Sequence, residues 1–411
     1  MKRILILQMG GMGDLVLTSA LVSALKTAGS HVTVACRAGL EAVAGLFPVA
    51  ADDVIPLDFH PYVWAMPSPE LFAALRPALD RLRQARPDCL VSAALQPTWF
   101  AWAAAAAVEA DAVGCPGDGP PLGLLPLVLG ELGLAPRPIA GPALAPGKHE
   151  NQRYADLARH LGAGPGKPPP WRPTAADAPG KYLVCFPVGT ANVAIKRWPA
   201  ERFAAVLNAI QQEFALPVVL AGSQAESGEL AALAGRIQGP ATVFAGRPDQ
   251  IPALAALTAR ATAWLGNDSG PAHLAQAYGR PGVCVFGGGG HWRAYAPWGR
   301  GTIGVAHPLP CFDCEWDCLF GHPVCLESIP VEPVVESLRR VLRDPDLAPH
   351  WVTLERLNPE VVGLIADAAA RYRATEKDRA DRLAKILELK HAAEVRLAMY
   401  FQAKAEADRL R

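Results

Sequence analysis

The segment Trp264-Leu265-Gly266-Asn267-Asp268-Ser269-Gly270-Pro271-Ala272-His273-Leu274 constrains the chain most. An apolar run suited to a buried parallel strand ends in a polar turn with a glycine, and the turn opens a helix. Asp268 or Ser269 is a good N-cap, and Pro271 suits the first helical turn, where a missing N–H costs nothing. The free N–H groups of such a turn point outward at the positive end of the helix dipole, so the turn can hold a diphosphate without a metal. Asp268 and His273 add groups able to hold hydroxyls or phosphate oxygens. Taken alone, the stretch also reads as an ordinary capped helix.

Around this segment the chain alternates strand and helix in two successive runs. Ile4 to Leu7 leads into Met9-Gly10-Gly11-Met12-Gly13-Asp14, Leu15 to Thr27 has helical spacing, and His31 to Ala35 follows as a second strand. Strands are expected at Asp53 to Leu57 and near Asp88 to Ala94, with a helix from about Pro69 to Gln84 between them. The stretch 163–180 is rich in proline and glycine and marks the best boundary. Alternation then restarts with Tyr182 to Phe186 and continues through strands at Pro217 to Ala221, Ala241 to Phe244, the central segment and Gly282 to Phe286. The expectation is an α/β chain of two doubly wound Rossmann-like domains facing across a cleft, 1–162 and 181–345, followed by a helical tail over 346–411.

The first glycine turn suggests dinucleotide binding, but the pattern fails twice. The third glycine of G-x-G-x-x-G falls at Val16, and the second strand ends in Cys36-Arg37 where an acid would hold a ribose. What remains is a glycine turn that lets a ligand approach the backbone and presents Asp14 at the carboxyl end of the first strand. Asp14 reads equally as a simple cap of its helix. In the second run each strand end carries something polar or glycine-rich: Val188-Gly189-Thr190 with Lys196-Arg197-Trp198-Pro199, Gly222-Ser223 with Glu226, Ala245-Gly246-Arg247, and Gly287 to Gly290. Several such turns at one sheet edge point to a nucleotide pocket.

Composition narrows the partners. The 411 residues are 51% hydrophobic and 19% charged with a formal net charge of +0, which fits a globular protein and removes the simplest case for nucleic acid. The apolar run of Met1 to Gln8 is too short for a signal peptide, and no uninterrupted apolar stretch of spanning length occurs, so a cytoplasmic location is expected. Nine cysteines, an odd number, fit reduced thiols better than a disulfide framework.

Taken together, Gly11-Met12-Gly13-Asp14, Lys196-Arg197-Trp198-Pro199 leading to Phe203, Gly222-Ser223 with Glu226, Ala245-Gly246-Arg247 and Asn267-Asp268-Ser269-Gly270-Pro271-Ala272-His273 resemble glycosyltransferase family 9, the ADP-heptose:lipopolysaccharide heptosyltransferases. The resemblance runs to about Leu342 and implies the two-domain GT-B architecture. It also implies inverting transfer of a sugar, heptose from ADP-heptose, to a lipopolysaccharide-type or other surface glycan or to a protein, with no cofactor required. Asp14 falls on the family's catalytic aspartate. Lys196, the amides around Ser269 to Ala272 and Thr190 are then expected to meet the departing diphosphate. Gly13, Gly222, Gly270 and Pro271 shape the donor pocket, Glu226 hydrogen-bonds the ribose, Asp268 contacts the donor sugar, and His273 neighbours phosphate. The chain departs from the family at Gly287-Gly288-Gly289-Gly290-His291-Trp292-Arg293, where a Gly-Pro turn is usual. Rival readings are another GT-B nucleotide-sugar enzyme such as an epimerase, or a non-catalytic nucleotide-sugar-binding scaffold.

Two features lie outside the reaction itself. Cys311, Cys314, Cys318 and Cys325 are soft ligands at short spacings that could enclose zinc or iron and brace the loop beside the pocket, with free thiols as the alternative. Autotransporter heptosyltransferases, which the chain resembles, carry a cysteine-bound iron. From Arg371 to Arg411 an amphipathic helix is expected, suited to a homo-oligomeric coiled coil, to packing on the body, or to peripheral contact with the inner membrane.

Overall fold

The computed structural model describes residues 1–64, 67–116, 124–143, 147–164, 171, 181–189, 194–288, 292–312, 314, 318, 320–354, 363, 365–375, 377–382 and 385. The first lobe comprises β1 (Arg3–Gln8), α1 (Met12–Thr27), β2 (His31–Arg37), α2 (Glu41–Ala44), β3 (Asp53–Leu57), α3 (Pro69–Gln84), β4 (Cys89–Ser92), α4 (Trp99–Val108), β5 (Asp111–Val113), α5 (Leu124–Leu132) and α6 (Glu150–His160). The second begins with β6 (Leu183–Phe186), α7 (Ala200–Phe214), β7 (Val218–Ser223), α8 (Ser227–Ala234), β8 (Ala241–Gly246), α9 (Ile251–Arg260), β9 (Ala263–Asn267) and α10 (Gly270–Ala277). It continues with β10 (Gly282–Phe286), α11 (Trp292–Tyr295), β11 (Thr302–Ala306), α12 (Val324–Glu327), α13 (Val331–Arg343) and β12 (His350–Thr353).

Both sheets are parallel throughout, in the orders β3-β2-β1-β4-β5 and β12-β11-β10-β9-β6-β7-β8. Their central strands are continuous apolar runs, Ile4 to Leu7, Leu183 to Phe186 and Val283 to Phe286, because helices cover both faces. Strand order reverses between β1 and β4 in one sheet and between β6 and β9 in the other. Those switch points leave a crevice at the carboxyl ends of the strands, where ligands bind in open α/β sheets. The two doubly wound lobes expected from sequence are present.

Three strands were not anticipated. β5 is a short edge strand behind an alanine-rich helix, and β11 starts immediately after Gly301, whose φ of +72 breaks the preceding turn. β12 occupies residues expected to begin the tail and its helices. Its Trp-Val-Thr sequence favours an extended chain, and Trp351 lies over Gly304, where a Cβ would approach the indole to 2.3 Å. The same ring stacks on Trp298 at 5.5 Å and meets the edge of Phe286 at 5.8 Å. Residues 365–375 and 377–382 are helical, and the coiled-coil expectation for the last residues falls outside the described ones. Among the described residues no helix is long and apolar enough to cross a membrane.

The boundary segment 163–180 lies mostly outside the described residues, but Trp171 within it is buried. Its indole meets Phe47 of the first lobe at 6.0 Å and Tyr278 of the second at 5.6 Å, both edge-on, so the connection carries a hydrophobic wedge between the lobes. Inside the second lobe, fully buried Asn267 ends β9 and ties two strand ends together. Its Oδ1 accepts from the Trp198 N–H at 3.0 Å, and its Nδ2 donates to the Pro187 carbonyl at 2.8 Å. Asn267→Ala leaves both backbone groups buried and unpaired, and urea denaturation should show the second lobe destabilised by about 2–4 kcal/mol; an unchanged midpoint would refute this bracing.

Candidate active site

The carboxyl edges of the two sheets share one cavity of about 670 Å³, lined by Asp14 from the first lobe and by Lys196, Glu226, Asp268, His273 and Tyr295 from the second. On the first side, β1 passes into Gly10 and Gly11 and then α1. The Gly11 N–H donates to Asp14 Oδ2 at 2.7 Å, and a Cβ on Gly10 would stand 2.5 Å from the same oxygen. The carboxylate thus lies against bare backbone, and this turn tolerates no side chain at Gly10 without displacing it. Gln8 beneath fixes the turn. It accepts from the Gly10 N–H at 3.0 Å and donates to Thr18 Oγ1 at 3.1 Å and to the Tyr154 hydroxyl at 3.2 Å.

Asp14 therefore caps its own helix and also faces the cavity, so the two readings of it are compatible. Burial raises its pKa above the ordinary aspartate value. The Gly11 hydrogen bond pulls the other way, the Glu150 charge adds to the rise, Lys196 opposes it and Asp268 adds to it again.

Across the cavity Lys196 Nζ sits 2.9 Å from Asp268 Oδ2, and His273 Nε2 lies 3.9 Å from Asp268 Oδ1. Burial brings the His273 pKa down to about 4 against the pull of Asp268, with the positive groups His149 and Lys196 reinforcing the fall. His273 is a neutral imidazole at neutral pH, so it offers a hydrogen bond and not a charge. Ser269 caps α10 through its backbone, the Ala272 and His273 N–H groups donate to the Ser269 carbonyl, and Pro271 has no N–H. The amides left at the mouth of α10 are those of Ser269 and Gly270.

The start of α10 abuts the start of α1. A Cβ on Gly13 would fall 2.6 Å from the His273 ring, and one on Gly270 would fall 2.6 Å from Met12 Cβ and 3.2 Å from the Gly13 nitrogen. Both glycines expected to shape the pocket are thus needed for the lobes to meet. Gly189 has φ +92, a left-handed conformation suited to glycine, and Gly222 packs so tightly that a Cβ would approach Val188 to 2.4 Å.

Glu226 is buried and well satisfied. It accepts from the Gly189 N–H at 2.8 Å, from the Ser223 N–H at 3.0 Å and from Ser223 Oγ at 2.6 Å, and Arg197 stands 3.3 Å away. Burial works to raise its pKa, but the Ser223 and Gly189 hydrogen bonds and the Arg197 charge outweigh it and leave the pKa lowered. Glu226 borders the cavity while holding two glycine turns together. Thr190 lies outside the described residues.

Two of the four clustered cysteines meet at Gly288 and a third is engaged elsewhere. Cys314 donates from its backbone N–H at 3.1 Å and from Sγ at 3.5 Å to the Gly288 carbonyl, while the Gly288 N–H donates to Cys325 Sγ at 3.3 Å. Cys318 Sγ donates instead to the His322 carbonyl at 3.1 Å. Among the described residues no three His, Cys, Asp or Glu side chains converge to hold a metal. Two of the thiols clasp the loop that follows β10, and Arg373 of the helical tail influences Cys311.

Sequence reasoning passed over several lining residues. Arg37 ends β2 and donates from Nε to the Gly10 carbonyl at 3.2 Å, beside the Asp14 turn. Phe244, Gln250 and Ile251 line the far side, at the end of β8 and the start of α9, and Tyr295 ends α11. All sit at carboxyl strand ends or in the turns that follow, which is the positional signal that could have found them. Beneath Asp14 a buried pair also escaped notice, Glu150 and Arg153, in contact at 2.5 Å.

The sequence comparison agrees with this geometry. Residues 149–317, from the start of α6 through the second-lobe site, match the profile of glycosyltransferase family 9 (heptosyltransferase). The chain resembles that family. It is 34% identical over 178 residues to lipopolysaccharide heptosyltransferase 3 of Escherichia coli K12, a match covering 41% of this chain and 48% of that protein. The chain therefore matches less than half the length of that curated relative. In structure it is similar to a family 9 glycosyl transferase of Veillonella parvula, with TM-score 0.64 and 20% identity over 83% of this chain and 97% of that one. It is also similar to an Escherichia coli heptosyltransferase solved with ADP, with TM-score 0.59 and 18% identity over 82% and 99% of the two chains. The architecture is GT-B.

The raised pKa of Asp14 has a consequence for stability. A carboxyl whose folded pKa exceeds its unfolded value costs stability once ionised, and the cost vanishes below the unfolded pKa. Asp14→Asn should therefore melt at or above the wild-type temperature at pH 8, with the difference disappearing as pH falls below about 4, near the unfolded value. Thermal scans across that range check it, and a variant less stable at pH 8 than at pH 4 relative to wild type would overturn it.

Proposed function

We propose that the protein is an inverting glycosyltransferase that moves heptose from ADP-heptose to a hydroxyl of a surface glycan of lipopolysaccharide type or of a protein. The observation that carries this reading is the meeting, in one cavity, of a half-buried carboxylate from the first lobe with a lysine and a helix N-terminus from the second. Asp14 takes the proton from the acceptor hydroxyl as its oxygen attacks the anomeric carbon from the face opposite the leaving group. The bond from that carbon to the diphosphate oxygen breaks, and ADP departs with the bonding electrons. Lys196 and the amides of Ser269 and Gly270 stabilise the charge that develops on it, so the transfer itself requires no metal. A base with a pKa above the usual aspartate value suits this role, because proton uptake then has a larger driving force.

Lys196 is paired with Asp268. An arriving diphosphate competes for that ammonium, which frees Asp268 to accept from hydroxyls of the donor sugar. Glu226 supports the ribose only by exchanging one of its present donors. Cys314 and Cys325 brace the loop beside the donor sugar through Gly288, and Cys311, Cys314, Cys318 and Cys325 are the residues that would hold a structural zinc or iron. Placement in the cytoplasm at the inner face of the membrane follows from such an acceptor.

Calorimetric titration with ADP, UDP, GDP and ADP-heptose tests the donor. ADP and ADP-heptose should bind in preference to the others, and preference for UDP or GDP would discard heptose while keeping the reaction type. Binding of none would refute a nucleotide-sugar ligand, for the enzyme and the scaffold readings alike. Asp14→Ala should lower turnover roughly 10²- to 10⁴-fold with ADP binding retained, whereas Lys196→Ala should weaken ADP as well as slow transfer. Near-normal turnover in Asp14→Ala would remove the base from the mechanism.

A further inference from the structure

Among the described residues Tyr295 is the one aromatic hydroxyl that borders the cavity, and it lies two residues beyond Arg293, the last residue of the stretch that departs from the family pattern. It closes α11, which follows β10 and the glycine-rich loop. Three observations fix its place. The neighbouring Ala294 and Ala296 are buried, which anchors the short helix on both sides of the tyrosine. The Ala296 carbonyl lies 2.9 Å from His149 Nε2, a polar contact from the second lobe to the residue that caps α6 beside Glu150. Tyr295 also lines the same cavity as Asp14, so the second lobe brings it to the cleft that the first-lobe carboxylate faces.

Among the described residues the Tyr295 hydroxyl has no hydrogen-bond partner, unlike Tyr154, whose hydroxyl donates to the Ala93 carbonyl at 3.1 Å. Burial first, then the charges of Glu150 and Asp14, push the Tyr295 phenol far above its ordinary range. It is therefore a neutral O–H at any pH the protein meets. Lys196, Asp268 and Asp14 border the same cavity. A group in that cavity that donates one hydrogen bond and cannot ionise suits a sugar hydroxyl better than a phosphate, which calls for cations or amides.

We infer that Tyr295 is a specificity-determining contact to the sugar of the nucleotide-sugar donor, its hydroxyl donating to a sugar oxygen across the cleft from Asp14. This rests on the proposed nucleotide-sugar reading and adds a residue to it. The hydroxyl contributes to holding the sugar and not the nucleotide. Its expected signature is thus a split between two ligands that differ only in the sugar.

The test is calorimetry of wild type and Tyr295→Phe with ADP and with ADP-heptose. The Phe variant retains the ring and its packing. It should bind ADP as wild type does and bind ADP-heptose roughly 3- to 10-fold more weakly, the loss of one neutral hydrogen bond. A purely structural role would weaken both ligands alike, and that result, or equal affinity of both proteins for ADP-heptose, overturns the inference. Wild-type protein that binds neither ligand fails the nucleotide-sugar reading itself and takes the inference with it, which separates the two failures. Tyr295→Trp serves as a second variant: added bulk at the same point should weaken ADP-heptose further while ADP is again held as in wild type.

Discussion

Two helix N-termini that meet nearly head to head govern this molecule. The starts of α1 and α10 belong to different lobes, yet a methyl group on Gly13 or Gly270 would collide with the other side. Each N-terminus carries a partial positive charge, and bringing two together is unfavourable unless negative charge is placed between or beside them. Asp14 in the first turn of α1 and Asp268 immediately before α10 supply it, with Lys196 setting the balance on one side. The same arrangement leaves the start of α10 at the rim of the cavity that the two lobes share.

The first lobe maintains its half of this contact through a buried polar layer. Gln8, Thr18 and Tyr154 are joined by hydrogen bonds of 3.1 to 3.2 Å under the glycine turn. Arg153 then links Glu150 to the Ala93 carbonyl at the end of the neighbouring β4, at the switch point of the sheet. Such a network is rigid to the extent that its members are satisfied, and here all are paired except Arg153 Nη1, which is buried without a partner among the described residues. It explains why the Asp14 turn can be built of glycines, which by themselves would leave it loose.

Much of this was legible in the sequence, because strand-turn-helix units at the switch points carry strong local signals. Glycine turns, Pro271 at a helix start and apolar runs of strand length placed Asp14, Lys196, Asp268 and His273 on carboxyl edges before any coordinates. Short edge strands were not legible. β5 has three residues, and the Trp-Val-Thr of β12 gains its strand identity from Gly304, Trp298 and Phe286, none of them adjacent in sequence. Cross-lobe contacts were invisible for the same reason. Nothing in the spacing of Trp171, Tyr278 and Phe47, or of His149 and Ala296, announces that they touch.

The carboxylates of the cleft and of the layer beneath it divide according to how completely they are satisfied. Glu226 accepts from three donors and stands beside a guanidinium, Glu150 holds Arg153 through both oxygens, and Asp268 faces Lys196. The partners of Glu226 keep its pKa below the usual glutamate value, and all three acids serve first to fix the backbone turns and helices around the cavity. Asp14 is different. Among the described residues its carboxylate accepts one hydrogen bond, from Gly11, and burial dominates its environment. A carboxylate that is desolvated and under-satisfied is poorly suited to bracing and well suited to taking up a proton. The difference between these acids therefore comes from the number of donors that the surrounding turns supply, and the glycine turn after β1 supplies Asp14 with only one.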